Sequence, residues 1–168
     1  MPALIAPTTR LHRAWLDAHA EWGPGSHEDG FGLKPADEVR TAAGFAASVA
    51  RLAAESEEVT YRWIVEGDRV LGGIALRHGL DGYVRQAGHI GFGIRPTARR
   101  RGLASWSLGQ VLDQARNLGM NRLLLVCDPG NTASMKTIEC LGGVFEDTRD
   151  TGGGPGRRYW IEPADPGL

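Results

Sequence analysis

The chain has 168 residues, of which 42% are hydrophobic and 23% charged, and this length favours one domain, residues 1–168, with a substantial core. Its 19 basic and 20 acidic residues give a net charge of −1, which argues against nucleic acid or an anionic membrane as a partner. No apolar run approaches the roughly 20 residues of a membrane span, and the first residues lack the basic and apolar regions of a signal peptide. We therefore expect a cytoplasmic protein.

The two cysteines, Cys127 and Cys140, indicate neither a disulfide framework nor a zinc site, because neither belongs to a Cys-x-x-Cys pair or a Cys/His cluster. We expect free thiols and no metal. His27, Glu28 and Asp29 stand together in a glycine-rich stretch, but one histidine beside two acids in a loop is typical of a solvated surface.

The first third of the chain predicts a strand, a helix capped by Thr8 or Thr9, a loop and a second helix, over residues 3–6, 8–19, 21–34 and 35–54. The loop contains four glycines and a proline, and loops of this kind can cover a binding site. The second helix is predicted to begin at Pro35 or Asp37, with a possible break at Gly44.

An antiparallel meander of three strands is predicted next. Residues 59–65 alternate in polarity, Gly67 and Asp68 form a two-residue turn, and residues 69–77 return as the partner strand. Residues 78–86 are expected to be a connecting loop, so the third strand of the meander comes last.

Residues 88–104 are the stretch around which the rest of the chain is expected to be arranged. The first part alternates as a strand does, and Gly91 and Gly93 leave one face bare, which permits a ligand to approach the backbone. Pro96 ends the strand, and a helical period begins at Leu103.

The start of that helix is a predicted anion site. Its first turn presents unpaired N–H groups and the positive end of the helix dipole, both of which attract phosphate. Arg99, Arg100 and Arg101 add positive charge, and Gly102 lets a phosphate come close to the backbone.

A buried strand, a helix and a hairpin complete the predicted elements. Residues 122–127 are a continuous apolar run, which predicts a strand buried on both faces and parallel to the strand before the preceding helix. Asn131 caps a helix that runs to Leu141 and ends at two glycines. Residues 144–147 and 158–161 form a terminal hairpin.

The spacing Arg99-x-x-Gly102-x-Ala104, between a strand and an amphipathic helix, resembles the pyrophosphate loop (Gln/Arg)-x-x-Gly-x-(Gly/Ala) of the GNAT N-acetyltransferase superfamily. Asn131-x-x-Ser134 before a glycine-terminated helix is a second match, and the order of elements is similar to the GNAT fold over nearly the whole chain. The resemblance implies an α/β (α+β) fold: a mixed, mostly antiparallel sheet with a central splayed parallel strand pair, flanked by helices. Within the superfamily, the chain resembles a group of predicted acetyltransferases with unknown acceptor.

The resemblance implies acetyl-CoA as co-substrate and direct acetyl transfer to an amine of a small molecule or of a peptide terminus. It also makes a homodimer possible, through apolar surface on the terminal hairpin. The helix-capping role of Asn131 is compatible with a contact to the pantetheine arm. The implied cofactor-binding residues are Phe92, Gly93, Ile94, Arg99, Arg100, Arg101, Gly102, Leu103, Ala104, Asn131 and Ser134.

The reaction needs a base, because an amine with a reference pKa of about 10.4 must lose a proton before it attacks the thioester. His89 and His78 are the candidates, since histidine titrates near neutral pH, although His89 also fits a structural histidine. Asp128 and Glu139 could act through water. Backbone N–H groups within residues 92–94 are expected to stabilise the oxyanion.

In many superfamily members, a tyrosine on the helix after the asparagine protonates the leaving thiolate. The matching residue here is Ile138, which carries no proton to give. Ser134 is the substitute one turn closer to the helix start, and Cys127, Tyr159 and bulk water are alternatives.

Two other hypotheses stay open. Because Ile138 stands where a tyrosine is usual, the chain could be a non-catalytic module that binds acyl-CoA and regulates a partner. The arginine cluster alone could bind phosphate or nucleic acid, but the balanced total charge argues against this.

Overall fold

The structure, a computed structural model, describes residues 1–22 and 30–163. Within these residues the chain forms two antiparallel sheets and five α-helices. The strands are β1 (Ala3–Ile5), β2 (Val59–Glu66), β3 (Arg69–Arg77), β4 (Ile90–Ile94), β5 (Leu123–Cys127), β6 (Val144–Asp150) and β7 (Pro155–Ile161). The helices are α1 (His12–Trp22), α2 (Ala42–Ala54), α3 (Gly82–Ala87), α4 (Leu103–Asn117) and α5 (Thr132–Cys140).

The start of α2 differs from the prediction. Thr41 provides the cap, because its Oγ1 accepts the N–H of Gly44 at 3.0 Å, and Gly44 therefore lies in the first turn rather than at a break. The Asp37 carboxylate is engaged elsewhere: it accepts the N–H of Lys34 at 2.8 Å and pairs with Arg51 at 2.6 Å. A helix start at Pro35 or Asp37 was therefore the wrong prediction.

The predicted loop 78–86 contains α3, a six-residue helix. Asp81 begins it by accepting the N–H of Val84 at 2.9 Å. Helices this short have too few apolar positions to show a period in the sequence, so the prediction missed it. The terminal hairpin is confirmed, with strands longer than predicted; it exposes Val144 and Phe145 on β6.

The two sheets have the strand orders β1-β2-β3-β4 and β5-β7-β6. The predicted meander is confirmed, since β2, β3 and β4 pair antiparallel in sequence order. In the second sheet, β7 lies between β5 and β6 and pairs antiparallel with both. The last strand of the chain therefore holds β5 in place.

The predicted parallel pairing of β4 with β5 is not observed in the described residues. The two strands belong to different sheets, and one isolated bridge of antiparallel type joins Gly88, just before β4, to Leu125 of β5. Gly88 has φ +88°, and a Cβ there would lie 2.8 Å from the carbonyl oxygen of Leu124, so only glycine permits this approach. Beyond the bridge, the opening between the sheets is lined by residues of both strands.

Helix α4 is held against both sheets by the largest core cluster. Its buried face, which includes Leu108, Val111 and Ala115, packs with Ile74 of β3 and Leu125 of β5. This packing fixes the first turn of α4 at the opening between β4 and β5. A second cluster, around Trp15, Phe45 and Trp63, packs α1 and α2 on the first sheet.

No helix in the described part of the chain is long and apolar enough to cross a membrane. Half of the predicted loop between α1 and α2, residues 23–29 with His27, Glu28 and Asp29, lies outside the described residues. Its end is described: Phe31 packs between α1 and β3, in contact with Trp15 and Trp22.

Candidate active site

The opening between β4 and β5 leads into a cavity of about 1050 Å³. Its walls are β4, the loop after β4, the first turn of α4 and the start of α5. Ser105 and Thr137, which no motif singled out, also line it. Of the predicted cofactor-binding residues the cavity brings together all but Arg101, namely Phe92, Gly93, Ile94, Arg99, Arg100, Gly102, Leu103, Ala104, Asn131 and Ser134.

Helix α4 starts at this cavity without a side-chain cap. Its N-cap residue is Gly102 at φ +74°, a left-handed conformation that favours glycine. Helices α2, α3 and α5 are each capped by a side-chain oxygen instead. The first N–H groups of α4, together with the helix dipole, therefore provide an anion-binding site that faces the cavity.

The three arginines of the loop have different surroundings. Arg99 folds back on β4, where its Nε donates to the carbonyl oxygen of Ile94 at 3.0 Å. Arg100 is exposed and adopts φ +65°, an uncommon conformation for a side chain with a Cβ. Arg101 donates to both carboxylate oxygens of Glu66 at 3.0 Å, which lowers the pKa of that carboxyl. Its charge is therefore already paired on β2.

The free edge of β4 faces the opening. At the two ends of the strand, the backbone N–H of Arg77 donates to the carbonyl oxygen of His89 at 2.7 Å, and the backbone N–H of Arg95 donates to the carbonyl oxygen of Leu71 at 2.8 Å. Main-chain groups alternate sides in an antiparallel ladder, so the odd-numbered residues bond to β3. The N–H groups of Phe92 and Ile94 therefore point away from β3, toward the opening.

A second cavity, of about 300 Å³, adjoins the large one at this opening. Its walls are β4, β5, α3 and the loop of the terminal hairpin. It shares Phe92, Asp128, Asn131 and Ser134 with the large cavity, so the two meet at these four residues, here called the junction. Sequence reasoning did not predict the second cavity, because α3 and the terminal hairpin are far apart in the chain.

Neither predicted histidine lines either of these two cavities. His89 is buried, and its Nδ1 accepts the N–H of Leu124 at 2.8 Å, which links the start of β4 to β5. Burial and the charge of Arg77 lower the pKa of His89, which keeps the ring neutral as this hydrogen bond requires. Both ring nitrogens of His78 have partners, Thr60 and the carbonyl oxygen of Glu57. From these positions, both histidines serve the fold.

The residues that could protonate the leaving thiolate lie at different places in the structure. Ser134 lies at the junction, whereas Cys127 lines only the second cavity, where burial raises the pKa of its thiol. Tyr159 is fully buried, its hydroxyl donates to Glu139 at 2.9 Å, and burial raises its pKa. Asp128 is the carboxylate at the junction. Among the described residues there is no cluster of histidine, cysteine and carboxylate groups that could hold a metal ion.

A family model for the acetyltransferase (GNAT) domain matches residues 11–144 of this chain. The chain therefore belongs to the GNAT acetyltransferase family. It is an N-acetyltransferase, and acetyl-CoA is its co-substrate. No curated protein sequence matches the chain significantly.

Solved structures share the fold over almost the whole chain. The ribosomal-protein-S5-alanine acetyltransferase of Vibrio fischeri has a TM-score of 0.75 at 13% identity, over 98% of this chain and 94% of that one. RimJ of Mycobacterium smegmatis, solved with CoA-disulfide, has a TM-score of 0.73 at 16% identity, over 96% and 81%. A Salmonella typhimurium acetyltransferase that modifies the N-terminal serine of ribosomal protein L7/L12 has a TM-score of 0.70 at 14% identity, over 96% and 94%.

Proposed function

We propose that this single-domain enzyme transfers acetyl directly to an amine of a small molecule or a peptide, with the two substrates entering from opposite cavities. Acetyl-CoA would occupy the large cavity, with its diphosphate at the first turn of α4 and its thioester at the junction. The acceptor amine would reach the junction through the second cavity. The observation that carries this proposal is the uncapped start of α4, opening on a cavity that ends at the free edge of β4.

The residues present fit the groups of acetyl-CoA. The N–H groups at the start of α4, with Arg99 and Arg100 beside them, suit a diphosphate. The N–H of Ile94 suits an amide carbonyl of pantetheine, which pairs with a free strand edge as another strand would. Arg101 is left out of this binding set, because Glu66 neutralises its guanidinium.

The junction supplies the groups that the chemistry needs. Asp128 can accept a proton from the amine directly or through one water, after which the nitrogen attacks the thioester carbonyl. The N–H of Phe92 would stabilise the oxyanion of the tetrahedral intermediate. As the carbon–sulfur bond breaks, the attacking nitrogen loses its second proton, and Ser134 or water relays that proton to the thiolate. The products are the acetamide and CoA, and Asp128 returns the first proton to solvent.

Direct transfer is favoured over an acetylated cysteine. Burial raises the pKa of the Cys127 thiol, so its nucleophilic thiolate is disfavoured at neutral pH. No histidine lines its cavity within the described residues. A cysteine in these surroundings lacks the base that activates such nucleophiles in enzymes.

The size of the second cavity supports a small acceptor group, since about 300 Å³ is at the low end for ligand pockets. Two of the structural neighbours described above are named for acetylation of an N-terminal serine or of an alanine of ribosomal proteins. Peptide N-termini that begin with a small residue are therefore the first acceptors to test, followed by small amines.

Thiol release from acetyl-CoA, corrected for hydrolysis, tests the proposed function. A panel of peptides with N-terminal serine or alanine, and of small amines, is expected to release CoA in an amine-dependent reaction that yields an acetamide by mass spectrometry. If CoA binds but no amine in the panel is acetylated, the non-catalytic alternative that Ile138 suggests gains support. If CoA does not bind, both hypotheses fail.

Asn131 is expected to act both as a helix cap and as a CoA contact. Its Oδ1 accepts the N–H of Ser134 at 3.1 Å, so the Nδ2 group is the donor that a ligand carbonyl could use. Asn131→Asp keeps the cap and removes this donor; we expect stability within about 0.5 kcal/mol of wild type but CoA affinity about tenfold lower. Asn131→Ala removes both and costs about 1 kcal/mol in addition.

Calorimetric titration with CoA and urea unfolding separate the two roles of Asn131. Wild-type CoA affinity in Asn131→Asp, together with a stability loss in Asn131→Ala, would restrict Asn131 to its role as a cap.

A further inference from the structure

We infer that Arg77 selects acceptors that carry an anionic group, a carboxylate or a phosphate, close to the reacting amine. This inference rests on the proposed function and names the acceptor class for the same site. It concerns the second cavity, where Arg77 is the cationic residue among those that line it.

Arg77 is held in a defined position at the end of β3. Its Nη1 donates to the carbonyl oxygen of Gly88 at 3.1 Å, and its guanidinium lies 4.9 Å from the centre of the Tyr83 ring. One contact comes from the chain before β4 and the other from α3. A planar guanidinium fixed on two sides loses little entropy when it binds a planar carboxylate, so its remaining donors are preorganised.

The positive charge of Arg77 has no carboxylate partner within the described residues, although the side chain is half-buried. Arg51 and Arg158 do have one: Arg51 pairs with Asp37 at 2.6 Å, and Arg158 pairs with Glu146 at 3.2 Å. The half-buried Arg62 and Arg157 have none among the described residues, but neither lines the second cavity. Removing a cation from water without a counterion costs free energy, and an anionic ligand would recover it. The charge also acts on its surroundings, since it contributes to the lowered pKa of His89.

Gly91 keeps the guanidinium accessible from β4. A Cβ at this position would lie 3.5 and 3.6 Å from the two terminal nitrogens of Arg77, in van der Waals contact with both. With glycine there, this side of the guanidinium stays open. Gly91 lines the second cavity and not the large one, so its role differs from that of Gly93.

The two charges of the second cavity lie on different walls. Asp128 follows β5 and lies at the junction, whereas Arg77 ends β3 and lies away from the large cavity. An acceptor with an amine and an anionic group would place the amine toward Asp128 and the anion toward Arg77, which orients the nitrogen toward the thioester. An amine that carries no anionic group makes only the contact with Asp128.

Matched acceptor pairs test this inference. The pairs are Ser-Asp-Ala-amide and Ser-Asn-Ala-amide, 4-aminobutyrate and 4-aminobutanamide, and phosphoethanolamine and ethanolamine; the peptide and small-molecule arms distinguish the source of the anion. We expect the wild-type enzyme to prefer the charged member of at least one pair by about tenfold to a hundredfold in kcat/KM, mostly through KM. Arg77→Gln should abolish the preference, and Arg77→Lys should keep part of it.

Two further variants distinguish a direct effect on the anion site from an effect on folding. Gly91→Ala keeps the charge and covers the guanidinium, so it should weaken the preference without loss of stability. Arg69→Gln removes an exposed charge from the other end of β3 and should leave the preference unchanged. CoA affinity reports whether each variant keeps the large cavity intact.

A binding measurement makes the result independent of turnover. The N-acetylated form of each acceptor is titrated calorimetrically into the enzyme with CoA present, and the charged member should again bind more tightly. Equal turnover or equal binding of both members in all three pairs would overturn the inference and leave the acetyltransferase proposal intact. Preferential binding of the anions without any turnover would support the anion site and count against the proposed catalysis.

Discussion

Replacing Gly102 by valine is expected to lower the affinity for CoA on the order of 100-fold, because several charged hydrogen bonds at the start of α4 would be lost together. Gly102 has φ +74°, and a valine there is strained by roughly 1–2 kcal/mol. Nothing lies within 4 Å of the added Cβ, so no protein atom opposes the side chain. The space that valine fills is the space that the diphosphate would occupy.

Gly119→Val is the matched control. Gly119 follows the other end of the same helix, also in the left-handed region at φ +81°, and again nothing lies within 4 Å of its Cβ. Both variants should lose similar stability in urea unfolding, but only Gly102→Val should lose CoA affinity in calorimetry. Equal affinity losses in the two variants would mean that strain in α4, and not obstruction of a phosphate site, explains the effect.

The sequence predicted well the elements that surround the proposed cofactor site, because they are local. A strand, a proline, a glycine turn and a helix start follow one another within residues 88–104, and each follows from a backbone preference of its own residues. Arg101 marks the limit of such reasoning. Its partner, Glu66, is at the end of β2, and no local pattern tells which of three adjacent arginines a distant carboxylate will pair with.

The second cavity, proposed above as the acceptor side, was not predicted, because it is assembled from segments far apart in the chain. Arg77, α3 and the terminal hairpin meet only when β7 pairs with β5. The same long-range packing determines the role of His89. A histidine on a strand can face a cavity or a neighbouring strand, and here its ring accepts the N–H of Leu124 on β5. The expected parallel pair is reduced to a single bridge: β5 bonds to β7 along one edge, and its other edge meets the chain before β4 only where Gly88 contacts Leu125.

A second large effect is expected just after β4, where the buried Arg95 forms an ion pair with the half-buried Glu21. Arg95 is only 7% exposed, and it also donates to the carbonyl oxygen of Val70 at 3.1 Å. Glu21, in the last turn of α1, also accepts the N–H of Thr97 at 3.1 Å. These contacts join α1 to the chain that leads from β4 to α4.

Glu21→Ala is expected to cost about 3–5 kcal/mol in the free energy of unfolding, because it leaves the Arg95 charge buried without a partner. Asp113→Ala breaks an exposed pair with Arg116 on α4 and should cost at most about 1 kcal/mol. Glu21→Ala combined with Arg95→Met should recover part of the loss, since it removes the uncompensated charge as well. A double variant as unstable as Glu21→Ala would contradict this account.

The pH dependence gives an independent measure of the same pair. Burial acts to raise the pKa of Glu21, but hydrogen bonds from Arg95 and Thr97 and the charge of Arg95 outweigh it, so the pKa lies below its ordinary value. A carboxyl with a lowered pKa in the folded state stabilises fully above its unfolded-state pKa, about 4.3, and this contribution is lost as pH falls through the folded value. The difference in unfolding free energy between wild type and Glu21→Gln should therefore be constant from pH 6 to 8 and shrink below about pH 4.3. Urea unfolding at a series of pH values measures it, and a difference that persists unchanged at low pH would show that the Glu21 charge is not what stabilises Arg95.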